Sequence, residues 1–556
     1  MEQYQNPVIN SDFPDPDIIR VGDAYYMAST TMYLMPGGDI LRSRDLVHWE
    51  FLCHVFSQLE DNPAHCLEDG QQIYGLGMWA PSLRFHKGTF YLTFACNDTH
   101  KSLLFLAQDP AGPWRRVEMG GFFYDSSLFF DDDDRVYIVH GNTTLRITEL
   151  ETETWSAKPG GLDRIIVEDK PGQRLGYEGS HLYKRDKKYY LFTCHMPTGS
   201  KYLKTEDCFL ADSLTGLFRG KNILDDNMGY RNYGVAQGGM VDTPEGDWYA
   251  FMFQDRGPLG RAPVIMPMSF DAEGFPVLGD NGRVPRLVSP VRTDADCVCA
   301  PLNGSDNFRY TPDAGGRVKL APFWQFSHNP DPEGWSVTAR PGALRLTTQR
   351  TSPNLILARN TLTQRCVGPA CAAWVTLDGT GLQEGDFAGI CAYQGCYGAI
   401  ALTKRNGVYY LVMMGRPADN NTIEGDGDFG RLPTEYEAVP APGPVVTLRT
   451  DADFSHEPDT ARFSYRGADG AWEPLGVSHR LHYKVDLFIG CRFGLFCYST
   501  LQPGGTADFL DFHYQGPQSH NFENKGGFYG SDKSSTAGQI ACGADDAGRK
   551  GRTASL

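Results

Sequence analysis

Three acidic residues in the first third of the chain have sequence surroundings that suggest chemistry. Asp15 lies between two prolines in "FPDPDII", Asp125 precedes "SSLFF", and Glu178 precedes "GSHLY". Two carboxyl groups roughly 6.5–9.5 Å apart, one ionised and one protonated, can hydrolyse a glycosidic bond with inversion. A third carboxylate beside the proton donor raises the pKa of the donor through repulsion of like charge. These residue types therefore indicate acid–base chemistry if the fold brings the three together.

Five similar stretches of the chain could carry these acids on a common framework. Each has a tyrosine within an apolar pair or triplet, follows a polar turn such as "VGDA" or "HKGT", and is preceded by another apolar run. The tyrosines lie 46 to 65 residues apart, at Tyr26, Tyr91, Tyr137, Tyr190 and Tyr249. Two apolar runs around a polar turn predict a β-hairpin, and five such units at this period predict a five-bladed β-propeller.

The same repeat places one reactive or binding side chain at the start of every predicted blade. Twelve residues before each of the last four tyrosines, and eleven before the first, the chain has a residue that can bind or react. These residues are Asp15, Trp79, Asp125, Glu178 and Gln237. Because the first strand of each blade lines the axis of a propeller, we expect all five to meet at one mouth of the channel. The two prolines should hold Asp15 in an extended conformation there.

Bulk composition limits the class of protein. With 556 residues the chain exceeds one ordinary core, and its 62 glycines and 35 prolines are typical of turn-rich β proteins. The net charge of −17 argues against nucleic acid or an anionic membrane as a partner. No apolar run approaches the roughly 20 residues of a membrane helix, and the polar start "MEQYQNPVINSDFP" lacks a signal-peptide pattern. We therefore expect a cytoplasmic protein.

The second half of the chain has a different β pattern. A turn-rich, charged segment precedes strand-like stretches such as "ACAAWVTLD", "GAIALTKRNGVYYLVMM" and "VDLFIGCRFGLFCYST". Their alternation predicts an antiparallel β-sandwich. The C-terminal tail is rich in Gly, Ser and charge, which is typical of disorder. The sequence thus predicts a propeller over 1–300, a sandwich over 301–516 and a disordered tail over 517–556.

Five segments of the first half resemble, in order, the blades of glycoside hydrolase family 43. They are "NPVINSDFPDPDIIRVGDAYYMAST", "MWAPSLRFHKGTFYL", "YDSSLFFDDDDRVYIVHGN", "GYEGSHLYKRDKKYYLFT" and "GGMVDTPEGDWYAFMFQDRGPLGRAP". The resemblance implies hydrolysis by single-step inversion, with Asp15 as general base, Glu178 as general acid and Asp125 as the modulator of the acid's pKa. It also implies an all-β protein whose propeller is followed by a jelly-roll, concanavalin-like sandwich, one loop of which closes part of the active-site mouth.

Four other residues have a functional or a structural interpretation. Trp79 could stack on a sugar ring or belong to the core, and Gln237 could bind substrate. Arg261, in "LGRAP", resembles a family arginine that bonds sugar hydroxyls near the base, although a surface ion pair would also explain it. Asp17 is interpreted as a turn-capping carboxylate.

Metal and cofactor signals are weak. His181 and His195 lie beside the strand of the acid and are interpreted as structural histidines. Some family members have a histidine before "QGG" that helps hold a calcium ion or water in the channel, but this chain has Ala236 there. No CxxC…CxxC pattern or nucleotide-binding loop occurs. We therefore predict no metal and no required cofactor; a structural calcium is possible but not predicted.

Three functions remain open at this point. The resemblance favours an exo-acting hydrolase that releases terminal α-L-arabinofuranose, β-D-xylose or both from hemicellulose-derived oligosaccharides, with arabinofuranosidase slightly preferred. An endo-arabinanase and a non-catalytic carbohydrate-binding protein are the alternatives. The expected partner is a pentose-containing oligosaccharide, with no nucleic acid and no membrane, and a homo-oligomer is possible.

Overall fold

The computed structural model describes residues 3–292, 299–420, 423–425, 427–467, 469–517 and 520–522. Nearly all regular structure in these ranges is β, and the helix Gly257–Leu259 is a single 3₁₀ turn. Five separate antiparallel sheets occupy residues 17–278, and two large sheets follow. The predicted all-β architecture of propeller and sandwich is confirmed.

Five sheets of four or five strands form the propeller blades. Blade I contains Asp17–Val21, Ala24–Ser29, Gly37–Ser43 and Trp49–Phe56. Blade II contains Met78–His86, Thr89–Cys96, Lys101–Ala107 and Arg115–Glu118. Blade III contains Ser127–Phe130, Val136–His140, Thr144–Glu151, Ser156–Ala157 and Asp163–Glu168. Blade IV contains Leu175–Arg185, Lys188–Met196, Thr205–Ala211 and Arg219–Leu224. Blade V contains Gly239–Asp242, Trp248–Asp255, Arg261–Phe270 and Pro276–Leu278.

The first two strands of each blade form the hairpin that the tyrosine repeat predicts. In blade I the chain reverses at Gly22, whose φ of +65° suits a residue without a Cβ, and Ile19 then pairs with Tyr26. The equivalent pairs are Arg84–Tyr91, Phe129–Tyr137, Tyr183–Tyr190 and Val241–Tyr249. The repeat therefore marks the second strand of every blade.

Apolar packing between neighbouring blades holds the ring together. Ile40 of blade I, for example, lies in one cluster with Leu92 and Phe94 of blade II, and all three are fully buried. Burial of such a side chain is worth about 1.5–3 kcal/mol. Blades I and V meet through two hydrogen bonds from the Arg20 guanidinium to the Asp242 carboxylate, at 3.0 and 2.5 Å. Apolar burial and this bidentate ion pair thus both help to close the ring.

The second domain is a sandwich of a ten-stranded and an eight-stranded sheet. The longer strands of the first sheet are Ala343–Thr347, Ala370–Asp378, Val445–Asp453, Thr460–Arg466 and Thr506–Gln515. Those of the second are Asp386–Tyr393, Gly398–Arg405, Val408–Gly415, Thr434–Pro440 and Arg492–Ser499. Alternate residues of both sheets, such as Leu377 and Ile390, fill the core between them.

The two domains are joined by backbone as well as by side chains. The strand Leu34–Met35, from a loop of blade I, adds to the edge of the eight-stranded sheet by pairing with Gln325–Ser327. Asp12 bridges the domains too, because its carboxylate accepts the N–H of Arg261 and the N–H of Gly490, both at 2.8 Å. A short segment within the range predicted for the propeller therefore belongs to the sandwich sheet.

Part of the predicted disordered tail is described. His520–Phe522 runs parallel to Gly304–Asp306 as a short strand, which the composition of the tail did not indicate. Residues 523–556 lie outside the described residues. No helix in the described ranges is long and apolar enough to cross a membrane.

Candidate active site

A cavity of about 690 Å³ lies where the first strands of the five blades begin. The residues predicted from the repeat, Asp15, Trp79, Asp125, Glu178 and Gln237, all line it, as does Arg261. Each comes from the first strand of its blade or from the residues just before that strand, except Arg261, which begins the third strand of blade V. The five-fold register thus brings the predicted side chains to one place.

Asp15 is held by two neighbours in a conformation that the sequence did not predict. Its φ is +49°, in the left-handed region, so the expected extended geometry is wrong. Arg261 Nη1 donates to both carboxylate oxygens at 2.9 and 3.1 Å, and Thr30 Oγ1 donates at 2.7 Å. Pro16 disfavours the right-handed helical region, and these three bonds offset the cost of roughly 1–2 kcal/mol of the left-handed one. The buried carboxylate is therefore fixed with a cation on one side.

Asp125 is tied directly to the strand that carries Glu178. Its Oδ2 accepts the backbone N–H of Gly179, the residue after Glu178, at 2.6 Å. It too has a left-handed φ, +51°, and its side chain is buried. Burial, together with the charges of Glu178 and Asp15, raises the pKa of Asp125 well above its usual value. Asp125 therefore positions the first strand of blade IV and is a third carboxyl group beside Asp15 and Glu178.

Glu178 has the protonation behaviour of a proton donor. Burial raises its pKa to about 7, and the charge of Asp15 acts in the same direction. Hydrogen bonds from Asn142 and from the Tyr124 hydroxyl, together with the charge of Lys204, act in the opposite direction. A carboxylic acid with a pKa near neutrality can give up its proton during turnover and regain it afterwards.

Arg261 is part of the site rather than of the surface. Only 6% of its side chain is exposed, and its guanidinium lies over the Phe488 ring, 4.7 Å from the centroid. A surface ion pair, the structural alternative considered from the sequence, is therefore not what this arginine forms. Its position places a fixed positive charge between Asp15 and the sandwich side of the cavity.

Trp79 and Gln237 form part of the walls. Trp79 Nε1 donates to the Gly75 carbonyl at 3.0 Å, which orients a half-buried indole between Tyr124 and Phe488. The side chain of Gln237 packs so closely on Gly179 that a Cβ there would come within 2.2 Å of it. The φ of +67° at Gly179 and this close contact both favour glycine after Glu178.

The sandwich contributes one side of the cavity, through residues that the sequence did not identify. Arg480–Tyr483, Val485, Phe488 and Glu457–Asp459 line it. Asp459 also forms a bidentate ion pair across the domain boundary with Arg231, at 2.8 and 3.0 Å. These residues lie outside the blade repeat, and most lie in loops whose approach to the propeller has no local sequence signal. Only the resemblance indicated that some sandwich loop would be present.

Two residues beside the acids have structural partners. Asp17 is not a turn cap: it is fully buried and accepts from Arg84 at 2.6 Å and from the Leu83 N–H at 2.7 Å. His181 Nδ1 lies 3.2 Å from the same carboxylate. The turn-cap interpretation of Asp17 is therefore wrong, because its side chain points into the protein and not along the turn.

His195 has a separate set of neighbours. Its Nε2 lies 2.8 Å from Asp169 Oδ2, and its ring stacks on Tyr177 with centroids 4.2 Å apart. Among the residues that the structure describes, no group of three or more His, Cys, Asp or Glu side chains has an arrangement that would hold a metal ion.

Comparison with known sequences decides the family. A sequence model described as "Glycosyl hydrolases family 43" matches residues 4–276, and one described as "Beta xylosidase C-terminal Concanavalin A-like domain" matches residues 317–515. The chain belongs to glycoside hydrolase family 43. The predictions of family, of fold class and of a glycosyl hydrolase are confirmed, and members of this family generally need no cofactor.

Individual family 43 relatives extend over most of the chain. A beta-xylosidase of Formosa agariphila is 26% identical over 93% of this chain and 91% of its own length. A non-reducing end alpha-L-arabinofuranosidase of Bacteroides ovatus is 29% identical over 62% of this chain and 64% of its own. The solved structure of a bifunctional GH43-CE protein of Bacteroides eggerthii superposes with a TM-score of 0.82 at 37% identity. That match covers 92% of this chain and 64% of the other.

Proposed function

We propose that this family 43 glycoside hydrolase is an exo-acting, inverting enzyme. It releases terminal α-L-arabinofuranose, β-D-xylose or both from hemicellulose-derived oligosaccharides. The observation that carries the proposal is the pairing of two unlike carboxyl groups in one cavity. Glu178 has a pKa of about 7, whereas Asp15 is bound to the guanidinium of Arg261.

Single displacement is the mechanism that membership of family 43 implies, and the contacts of each carboxyl group suit its proposed role. Asp15, paired with Arg261, accepts a proton from a water molecule as that water attacks the anomeric carbon. Glu178 donates its proton to the leaving oxygen, and the hydroxyl of Tyr124 and the amide of Asn142 stabilise the carboxylate that remains. Asp125 orients the acid through Gly179. The two carboxyl groups exchange protonation states in one turnover, and solvent restores them.

Exo action follows from the walls of the cavity. Segments of the sandwich, including Tyr483 and Phe488, line the cavity opposite the propeller, and the Arg231–Asp459 ion pair spans the domain boundary at its edge. A cavity with a wall on that side accepts the end of a chain more readily than its middle. This disfavours an endo-arabinanase, which needs an open groove.

The sugar is a pentose on two grounds. The cavity of about 690 Å³, with the aromatic rings of Trp79 and Phe488 in its wall, has room for a terminal pentose ring and the next unit. The names of the relatives, a beta-xylosidase and a non-reducing end alpha-L-arabinofuranosidase, favour the same two pentoses. A binding protein without activity would not need a carboxyl group with a pKa near 7.

Turnover of aryl glycosides tests the proposal. We expect release of 4-nitrophenol from 4-nitrophenyl α-L-arabinofuranoside, 4-nitrophenyl β-D-xyloside or both. Early NMR spectra should show the inverted sugars, β-L-arabinofuranose or α-D-xylose. The Asp15→Asn variant, of nearly the same shape, controls for contaminating hydrolases. Absence of turnover on both pentosides, or products of retained configuration, would overturn the proposal.

A further inference from the structure

Four buried side chains follow closely in the sequence after residues that line the cavity and do not line it themselves. Asp17 lies two residues after Asp15, Arg84 five after Trp79, Ser127 two after Asp125, and His181 three after Glu178. Asp17 and Ser127 begin the first strands of blades I and III, and the odd spacings of Arg84 and His181 span register shifts in the first hairpins of blades II and IV. We call Asp17, Arg84, Ser127 and His181 the positioning layer.

Directional bonds connect the layer across four blades. Arg84 donates through Nη1 to Asp17 at 2.6 Å and through Nη2 to Ser127 Oγ at 2.8 Å. His181 Nδ1 lies 3.2 Å from the other oxygen of Asp17, and the N–H of Leu182 donates to Ser127 Oγ at 2.9 Å. Blades I, II, III and IV are therefore joined by polar contacts in one layer.

The burial of the layer makes these bonds hard to explain by stability alone. Asp17 and Ser127 have no exposed surface, His181 is 5% exposed, and the Arg84 side chain is 11% exposed. A buried ion pair adds little net stability over well-packed apolar residues of similar volume. Hydrogen bonds of fixed length and direction do, however, specify the spacing between strands more tightly than apolar packing does.

We propose that the positioning layer sets the separation and orientation of Asp15 and Glu178. Asp17 anchors the strand that follows the base, and His181 anchors the strand that contains the acid. Because His181 contacts the Asp17 carboxylate, the strand after Asp15 and the strand of Glu178 are held to each other at this point. Arg84 donates to both Asp17 and Ser127, and so connects the strand after Asp125 to the same network. This inference rests on the proposed roles of Asp15 and Glu178.

Two variants of the layer, Asp17→Asn and Ser127→Ala, test the inference by steady-state kinetics on an aryl glycoside. A displacement of about 1 Å in a catalytic group can cost roughly 100-fold in rate. We expect kcat to fall about 10- to 100-fold in Asp17→Asn and several-fold in Ser127→Ala, with KM changed less than about threefold. Arg84→Lys should retain more activity than Arg84→Met, because lysine keeps the ion pair with Asp17.

Lys184→Met is the matched control. Lys184 lies on the same strand as His181, and its ammonium group pairs with the buried Asp131 of blade III at 2.5 Å, outside the layer. This variant should lose thermal stability to a similar extent but keep kcat within about twofold. Equal losses of kcat in Lys184→Met and Asp17→Asn, or unchanged kcat in folded Asp17→Asn and Ser127→Ala, would overturn the inference.

The outcome is separable from that of the proposed function. If the enzyme cleaves an aryl glycoside other than a pentoside, the substrate proposal fails, but the ratios of kcat between variants still test the layer. If no aryl glycoside is cleaved, crystal structures of Ser127→Ala and Asp17→Asn decide. A change of about 0.5 Å or more in the separation of the Asp15 and Glu178 carboxyl carbons supports the layer, and an unchanged separation refutes it.

Discussion

The two sides of the cavity are built in different ways. The propeller side carries its reactive groups at the ends of strands, each held by hydrogen bonds to a neighbouring blade, as Asp125 is to Gly179. The sandwich side presents Tyr483 and Phe488 from a segment between strands. In the proposed mechanism, the blades supply the charged groups and the proton transfer, and the sandwich loops supply the shape of the cavity. Chemistry and access can therefore be altered separately, and the following predictions test that separation.

The largest effect is expected on the propeller side, at Asp15. Asp15→Ala removes the proposed base and leaves Arg261 buried without its partner. We expect kcat/KM to fall by about 10³–10⁴-fold for every leaving group, which is the upper part of the range for general acid–base catalysis. The measurement is a series of aryl glycosides of different leaving-group pKa. Rates near those of the unaltered enzyme would contradict the assignment of the base.

Glu178 should show a loss that depends on the leaving group. Glu178→Ala should lower kcat/KM by about 100- to 1000-fold for poor leaving groups, which need protonation, and much less for 2,4-dinitrophenolate. The same aryl series measures it, with Asp15→Ala as the contrasting variant. A uniform loss across the series would contradict the role of Glu178 as acid.

Phe488 tests the sandwich side. Phe488→Ala should widen the cavity beside Arg261 and raise KM for short oligosaccharides by about tenfold, with kcat reduced much less, since apolar contact acts on binding. Steady-state kinetics on xylobiose and arabino-oligosaccharides check this. A loss confined to kcat would instead place Phe488 among the groups that align the carboxyl pair, and the comparison between the two sides would fail.

The smallest effect is a shift in pH dependence. The raised pKa of Glu178, about 7, predicts that kcat/KM falls above that pH as the acid loses its proton. Asn142 donates to the Glu178 carboxylate and so favours its ionised form. Asn142→Ala should therefore move the alkaline limb upward, by about half a pH unit, in pH profiles of kcat/KM. A downward shift would contradict the proposed contact.

The sequence predicted the positions of residues that the blade repeat places, and it did not predict conformations that depend on partners far away in the sequence. The register of Asp125 and Glu178 could be read because each blade repeats the same hairpin, so their approach to one cavity follows from the fold. The conformation of Asp15 could not be read, because it depends on Arg261, some 246 residues later. Asp17 resembled a turn cap for the same reason: its partners Arg84 and His181 come from other blades.

Residues next to the motifs mark another limit. Tyr124 and Asn142 bond to Glu178, yet Tyr124 precedes a recognised acid and Asn142 lies in a turn with no pattern of its own. The sandwich residues of the cavity are even harder to predict from sequence. Asp459, for example, pairs with Arg231 only because the two domains meet at that point. A period in sequence predicts elements within one domain, whereas the wall between domains depends on their docking.

The contacts of Asp12 have a consequence for how the enzyme matures. Asp12, three positions before Asp15, accepts the N–H of Gly490, which lies late in the sandwich sequence. The strand Leu34–Met35 likewise pairs with Gln325–Ser327, which follows all five blades in the sequence. A ribosome that has finished all five blades has not yet made these partners. The loop that carries Asp15 therefore gains its last support only after the sandwich has been made as far as Gly490, and a chain that stops before this point would contain the five blades without the contact that holds this loop.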